Sequence, residues 1–343
     1  MSRHGLRRGY LLAAVALVLA IALPAWPYLL EFTRPAGGGT PQQPDHWDFG
    51  AGGFTVEWNL NPGSAGSNVV GSRTVDQVIQ ASFNAWTSAP NTSLPIGRGA
   101  NSTKTAPAFD GVNVIAFTCS SSCDFTQEAE TLAVAFTVVS DQVGEATMHG
   151  TTTSQFVGQI LDSDIFFNPS VCYTTGSGGT CPTPSQTPQD MQTVAMHEIG
   201  HFLGIDHSGV VRAVMFPFAP DVQQTLSYDD VAAVSTLYPK SPPDFNSGSI
   251  AGTVRLNGAA VFGAHVFAES TTPAQPLPAN IRKSPVSTLT FPDGTYRITG
   301  LPPDSYTVTA EPLDLPVINA DVNGYPQAFG RSTVQTNFTT RWH

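Results

Sequence analysis

Residues 197–207 read His197-Glu198-Ile199-Gly200-His201-Phe202-Leu203-Gly204-Ile205-Asp206-His207. His197 and His201 are four positions apart, so a helix would stack both imidazoles on one face, one turn above the other. Two neutral imidazoles so placed can fill two corners of a tetrahedral zinc site. Glu198 would then lie near the open coordination position without ligating. Gly204 lets the chain leave the helix through a conformation that a side chain disfavours, and the turn can return His207 as the third ligand. Three protein ligands leave the fourth position to water, the arrangement of a catalytic rather than a structural zinc. The alternative, unrelated histidines near a helix end, would leave costly polar rings among Ile199, Phe202, Leu203 and Ile205.

This spacing is the extended zincin signature and resembles that of the metzincin metallopeptidases. Val214-Met215-Phe216-Pro217 follows, with Met215 eight residues after His207, where the family's Met-turn methionine packs beneath the metal. Ser208 directly after His207, and Pro217 two after Met215, resemble matrixins more than astacins or serralysins, which usually carry tyrosine at the place of Pro217. The resemblance implies one catalytic Zn2+ held by His197, His201 and His207, Glu198 as general base, and Met215 and Gly204 as structural support. It implies an α+β fold: a zincin/metzincin domain with a mixed twisted sheet and three helices.

The flanking residues can be read outward from there. Thr187 can cap a helix, Pro188 suits its first turn, and Asp190 sits three after the cap, which predicts a helix from about Pro188 to Leu203. Phe216 to Thr225 is expected to wall an apolar pocket for the residue after the scissile bond. Ser227-Tyr228-Asp229-Asp230 opens a further capped helix with Val231, Val234, Leu237 and Tyr238 on its buried stripe and Pro239 at its end. That pattern resembles the final helix of matrixin catalytic domains.

Upstream, Phe54 to Leu60 alternates and ends at Asn61-Pro62-Gly63, a strand and a turn. Val75, Val78, Ile79, Ser82, Phe83 and Trp86 form one stripe of an amphipathic helix. Val112 to Thr118, Leu132 to Val139 and Ile160 to Asn168 read as strands. Leu132 to Val139 is the edge strand of the cleft by resemblance, while the pattern alone equally allows an interior strand. Animal matrixins place a ligand of a second, structural zinc where Phe166 stands, and His149 alone cannot build such a site. Asp162 and Asp164 are the candidates for Ca2+, as hard oxygen ligands, with a solvated strand face as the plainer reading.

Cysteines fall as Cys119/Cys123 and Cys172/Cys181. An even count suggests disulfides, and of the three connectivities pairing within each group is expected. A four-cysteine zinc site is the alternative; its spacings are unlike zinc ribbons.

The N-terminus carries Arg3, Arg7 and Arg8, an apolar run from Leu11 to Leu23, and Ala20-Ile21-Ala22 as a small-x-small site. Residues 1–25 therefore read as a secretory signal peptide. Pro24, Pro27 and Glu31 argue against a full span, so no stable membrane insertion is expected after cleavage. The protein is expected to be secreted and extracellular, or periplasmic or at the cell surface. Residues 26–48 are rich in Pro, Gly and Gln and read as a flexible lead-in. No cysteine precedes Cys119, so the cysteine-blocked latency of many matrixins is not expected. The net charge of −11, with only 15 Lys and Arg, offers nothing to hold a phosphate backbone and excludes nucleic acid as a partner.

Residues 49–239 are thus assigned to the peptidase domain and 240–248 to a linker. Residues 249–313 have no helical period. Their strands are Ser249 to Val254, Val261 to Ala268, a hairpin turning at Asp293-Gly294, and Tyr306 to Ala310. This resembles the small transthyretin-like β-sandwich of carboxypeptidase regulatory domains, which implies surface, matrix or substrate contact. Residues 314–343 form a tail without a clear pattern. The function so implied is zinc-dependent hydrolysis of protein or peptide substrates. The alternatives are a non-enzymatic surface or adhesion protein retaining a structural zinc, and a zinc hydrolase of a non-peptide amide.

Overall fold

A computed structural model describes residues 29–50, 55–121, 123, 125, 131–148, 151–218, 222–272 and 277–342. The expected signal peptide, Phe54, His149 and part of the 216–225 segment lie outside them. The first strand, β1 (Val56–Leu60), alternates as its sequence does, with Val56, Trp58 and Leu60 buried. Helix α1 (Val75–Thr87) begins at Thr74, which forms a capping box with Gln77. It buries Val78, Ile79, Ser82, Phe83 and Trp86, the predicted stripe.

Strands β2 (Ile96–Arg98), β3 (Asn113–Ala116), β4 (Ala133–Val139) and β5 (Ile160–Phe167) complete a five-stranded sheet of order β2-β1-β3-β5-β4. All neighbours are parallel except β4, which runs antiparallel to β5 at the edge. The pattern left β4 open between edge and interior; its place at the edge comes from non-local pairing. Helix α2 (Met191–Phe202) packs between α1 and this end of the sheet. Trp58 stacks on Phe83 with centroids 4.9 Å apart, Phe83 meets Phe202 edge-on at 5.5 Å, and Trp86 Nε1 donates to the Met196 carbonyl at 2.9 Å. The aromatic pairs fix how α2 lies on the sheet.

Helix α2 starts later than its sequence suggests. Asp190, not Thr187, is the cap and accepts from Thr193 N at 2.8 Å. Gln189–Asp190 are drawn into extended backbone, because they pair with Tyr173–Thr174 in a short parallel ladder. Helix α3 (Tyr228–Leu237) has the predicted start, a capping box between Ser227 and Asp230. The disulfides are Cys119–Cys123 and Cys172–Cys181, paired within each group as expected.

The lead-in is not loose. Leu29 and Leu30 are buried, Leu30 bridges Ile205, and Glu31 N donates to the Gly204 carbonyl at 3.0 Å. Trp47 Nε1 donates to the Phe202 carbonyl at 2.7 Å, and Trp47 N donates to the Tyr238 hydroxyl at 3.1 Å. That hydroxyl in turn donates to the Leu203 carbonyl at 2.7 Å. Tyr238→Phe leaves two buried backbone groups without partners, so it should cost about 1–3 kcal/mol, measurable as a lowered thermal midpoint.

The C-terminal module has β6 (Gly248–Thr253), β7 (His265–Ser270), β8 (Val286–Leu289), β9 (Thr295–Leu301) and β10 (Tyr306–Glu311). β6 pairs with β9, while β7 lies between β8 and β10. The expected hairpin around Asp293-Gly294 is corrected. The turn is present, with Gly294 at φ +80°, but β8 and β9 belong to different sheets, so the chain crosses over there. The 314–343 tail is also ordered: a 3-10 turn (Asn319–Val322), a short helix (Gly324–Ala328), and strand β11 (Arg341–Trp342) added to β10.

Candidate metal centre

Helix α2 carries His197, Glu198 and His201, and the chain leaves it at Gly204, whose φ is +85°. A Cβ there would also lie 2.1 Å from the Asp45 carbonyl oxygen, so glycine is required by conformation and by space. The turn brings His207 back. One ligating nitrogen from each of His197, His201 and His207 lies within 4.8 Å of the others. Among the described residues this is the one cluster of metal-ligating side chains.

The backs of the three rings are all held. His197 Nδ1 bonds the Val214 carbonyl at 2.8 Å, His201 Nδ1 the Ile205 carbonyl at 2.9 Å, and His207 Nδ1 the Asp321 carbonyl at 2.6 Å. A carbonyl oxygen can only accept, so each Nδ1 carries a proton, and Nε2 is the nitrogen left to a metal. Burial and the neighbouring His207 push His197 down to about 3, and burial with both partner rings pushes His201 well below its usual range. His197 and His201 are therefore neutral, and the three rings fit a divalent metal by donor type and convergence.

Glu198 is 5% exposed. Burial pushes its carboxyl up to about 8, against the lowering effect of a hydrogen bond from the Ala135 backbone on edge strand β4. Its Oε2 has no partner within the protein. A buried, unpaired carboxylate oxygen beside three converging imidazoles fits a role toward a water or substrate proton. Ala135 also lines an apolar cavity of about 430 Å³ with Pro107, Phe109 and Phe136, so cavity and carboxylate share one strand.

Met215 is buried beneath the helix. A Cβ at Gly200 would sit 2.0 Å from its Sδ and 2.9 Å from its Cε. Gly200→Ala favours helix by about 1 kcal/mol but forces Met215 from its place. We expect a net loss of about 1–3 kcal/mol in thermal unfolding, opposite in sign to propensity.

The loop bearing Met215 hangs from α3. Asp230 Oδ2 accepts from Val214 N at 2.9 Å and Ser227 N at 2.7 Å, and Oδ1 accepts from Met215 N at 3.3 Å. Asp229 Oδ2 accepts from Ser208 Oγ at 2.5 Å. Sequence reading treated the two aspartates as a helix start only; their lodging in an acidic first turn gives no sign of the second task. Gly200 and the carbonyl of Asp321 were missed as well.

Asp162 and Asp164, the calcium candidates, each accept backbone hydrogen bonds. Asp164 accepts from Val114 N at 2.7 Å and Ala108 N at 3.0 Å, and Asp162 from Asp110 N at 3.1 Å and Gly111 N at 2.5 Å. They pin the loop ahead of β3. Phe166 is wholly buried beside Val114 and Ala116.

A model of the matrixin family matches residues 54–239, more than half of the chain. The chain belongs to the matrixin family. Similar curated matrixin relatives include metalloendoproteinase 1 of Glycine max, 38% identical over 72 residues (20% of this chain, 24% of that protein). Karilysin of Tannerella forsythia is 51% identical over 49 residues (14% and 10%). Human matrix metalloproteinase-16 is 32% identical over 92 residues (26% and 14%). The matched stretches span at most a quarter of these relatives' own lengths. Family membership implies the zincin α+β fold and a catalytic zinc, which the histidine triad suits.

Proposed function

We propose that the chain is a secreted zinc endopeptidase that hydrolyses internal peptide bonds of protein substrates. The observation that carries this is the convergence of three imidazoles, each with its Nδ1 proton fixed on a backbone carbonyl, beside the buried and half-satisfied carboxylate of Glu198. A purely structural zinc site has no use for such a carboxylate, which weighs against an adhesion protein that merely keeps its metal. Metalloendoproteinases among the relatives favour peptide over other amide substrates.

His197, His201 and His207 would hold the metal. Zinc, when bound, polarises the scissile carbonyl and lowers the pKa of a water toward about 7. Glu198 takes the proton of the attacking water on its free Oε2 and passes it to the departing amine nitrogen. Burial deprives Glu198 of competing solvent, and the Ala135 backbone keeps its carboxylate turned to the cleft. The substrate backbone would lie extended along β4, whose outer edge offers N–H and C=O groups for strand addition. The cavity beside Phe109 and Phe136 supports an apolar substrate side chain on that strand.

Secretion is supported by the two disulfides, which persist in oxidising compartments. Among the described residues no helix is long and apolar enough to cross a membrane. The two sheets of the C-terminal module support the transthyretin-like reading.

Purified full-length protein should cleave a denatured protein at internal bonds, followed by mass spectrometry of the fragments. A zinc chelator should abolish the cleavage and added zinc should restore it. Cleavage indifferent to the chelator would refute the assignment.

A further inference from the structure

Two of the three ring nitrogens that face away from the metal site are held by carbonyls near them in sequence, those of Val214 and Ile205. The third is not. His207 Nδ1 donates to the carbonyl of Asp321, 114 residues later in the chain. We propose that Asp321 is a positioning residue for the third metal ligand, and that the C-terminal module with its tail is a built-in part of the metal centre rather than an appended one. This rests on the zinc-peptidase reading above.

Each residue of the segment 207–209 is engaged by the C-terminal half of the chain. Beyond the His207 bond, Ser208 Oγ donates to Asp229, whose other carboxylate oxygen accepts from Ser287 N on β8 at 2.7 Å. Gly209 lies against the buried ring of His265 on β7, close enough that a Cβ would fall 2.8 Å from it. The ligand is thus held by the tail, the residue after it is linked to β8 through Asp229 of α3, and the next packs against β7.

The Asp321 carbonyl is itself held in place. Its own Oδ2 accepts from Ile318 N at 2.7 Å and closes the turn. The next residue, Val322, is fully buried, and Asn319 Oδ1 accepts from Val334 N at 2.8 Å. Tyr325 then stacks on Phe262 of the module, with centroids 5.6 Å apart and the rings nearly parallel. A donor ring held by such an acceptor keeps its Nε2 lone pair aimed at the metal, and losing an outer-shell partner of a metal-bound histidine costs about 10- to 100-fold in metal affinity. The side chain of Asp321 acts one step further away, by holding the turn, so the lower end of that range is expected.

The test uses the full chain. Zinc affinity is read by competition with a chromogenic chelator, and the His207 ring by its nitrogen-15 signals. Asp321→Ala should weaken zinc by about tenfold and move the His207 Nδ1 resonance away from its protonated, hydrogen-bonded position. Asp321→Asn retains an acceptor for Ile318 N and should restore both. Asp304→Ala, which removes the acceptor of Ser270 and Thr272 in the same module, should lower the thermal midpoint and leave zinc affinity unchanged. If Asp321→Ala does not fold, Asn319→Ala carries the same expectations.

Equal zinc affinity and an unmoved His207 signal in the Asp321→Ala protein would overturn the proposal. So would an equal loss of affinity in Asp304→Ala, which would reduce the effect to module stability. A wild-type protein that takes up no zinc would instead overturn the zinc-peptidase reading and, with it, the positioning role.

Discussion

Glu198→Gln should retain one zinc per chain and lose peptide hydrolysis by about 10²- to 10⁴-fold. The substitution preserves shape and leaves His197, His201 and His207 untouched, so metal uptake gives no reason to change. It removes the one feature the reaction needs from this residue, an oxygen able to accept and return a proton. Glu198 is buried, with one oxygen unpartnered and the other side of the carboxylate held from Ala135, so solvent cannot easily substitute for it. The loss should fall on kcat, since ground-state binding along β4 does not pass through the carboxylate. The measurement is kcat and KM on a cleaved peptide, with zinc stoichiometry from elemental analysis of the same sample. Activity near the wild-type level with zinc bound would remove Glu198 from the mechanism.

Asp230→Ala should be the most destabilising single change near the site. Asp230 is 1% exposed and accepts from three backbone N–H groups, of Val214, Met215 and Ser227. Alanine leaves all three buried and unpaired, each at about 1–3 kcal/mol, so a loss on the order of 3 kcal/mol or more is expected. For a domain of this size that lowers the thermal midpoint by roughly 10 °C. The damage should reach the metal as well, because Val214 presents the carbonyl that orients His197. A midpoint unchanged from wild type would mean that the loop beneath the metal is held by something other than α3.

How much of this was legible in the sequence depended on whether the signal was local. The histidine spacing, the stripe of α1 and the Ser227 cap are periodic or adjacent patterns, and each has its structural counterpart. The start of α2 was misplaced because Thr187 and Pro188 look like a helix entrance by themselves. The competing ladder with Tyr173–Thr174 is a tertiary event with no mark in residues 187–190. The Asp293-Gly294 turn was read correctly as a turn but wrongly as a hairpin, since the same turn joins strands of one sheet or of two. The lead-in misled by composition: Leu29, Leu30 and Trp47 anchor it, yet they stand in a stretch dominated by Pro, Gly and Gln. Asp321 was beyond any such reading, because it acts toward His207 through a backbone carbonyl, which every residue carries.

The most direct measurement is a time course of a mixed peptide library incubated with purified full-length protein, analysed by mass spectrometry, beside the same protein stripped of metal and then given one equivalent of zinc. Internal cleavage that disappears on stripping and returns with that single equivalent is the predicted result. A protein that binds its equivalent of zinc and leaves every peptide intact would contradict the account.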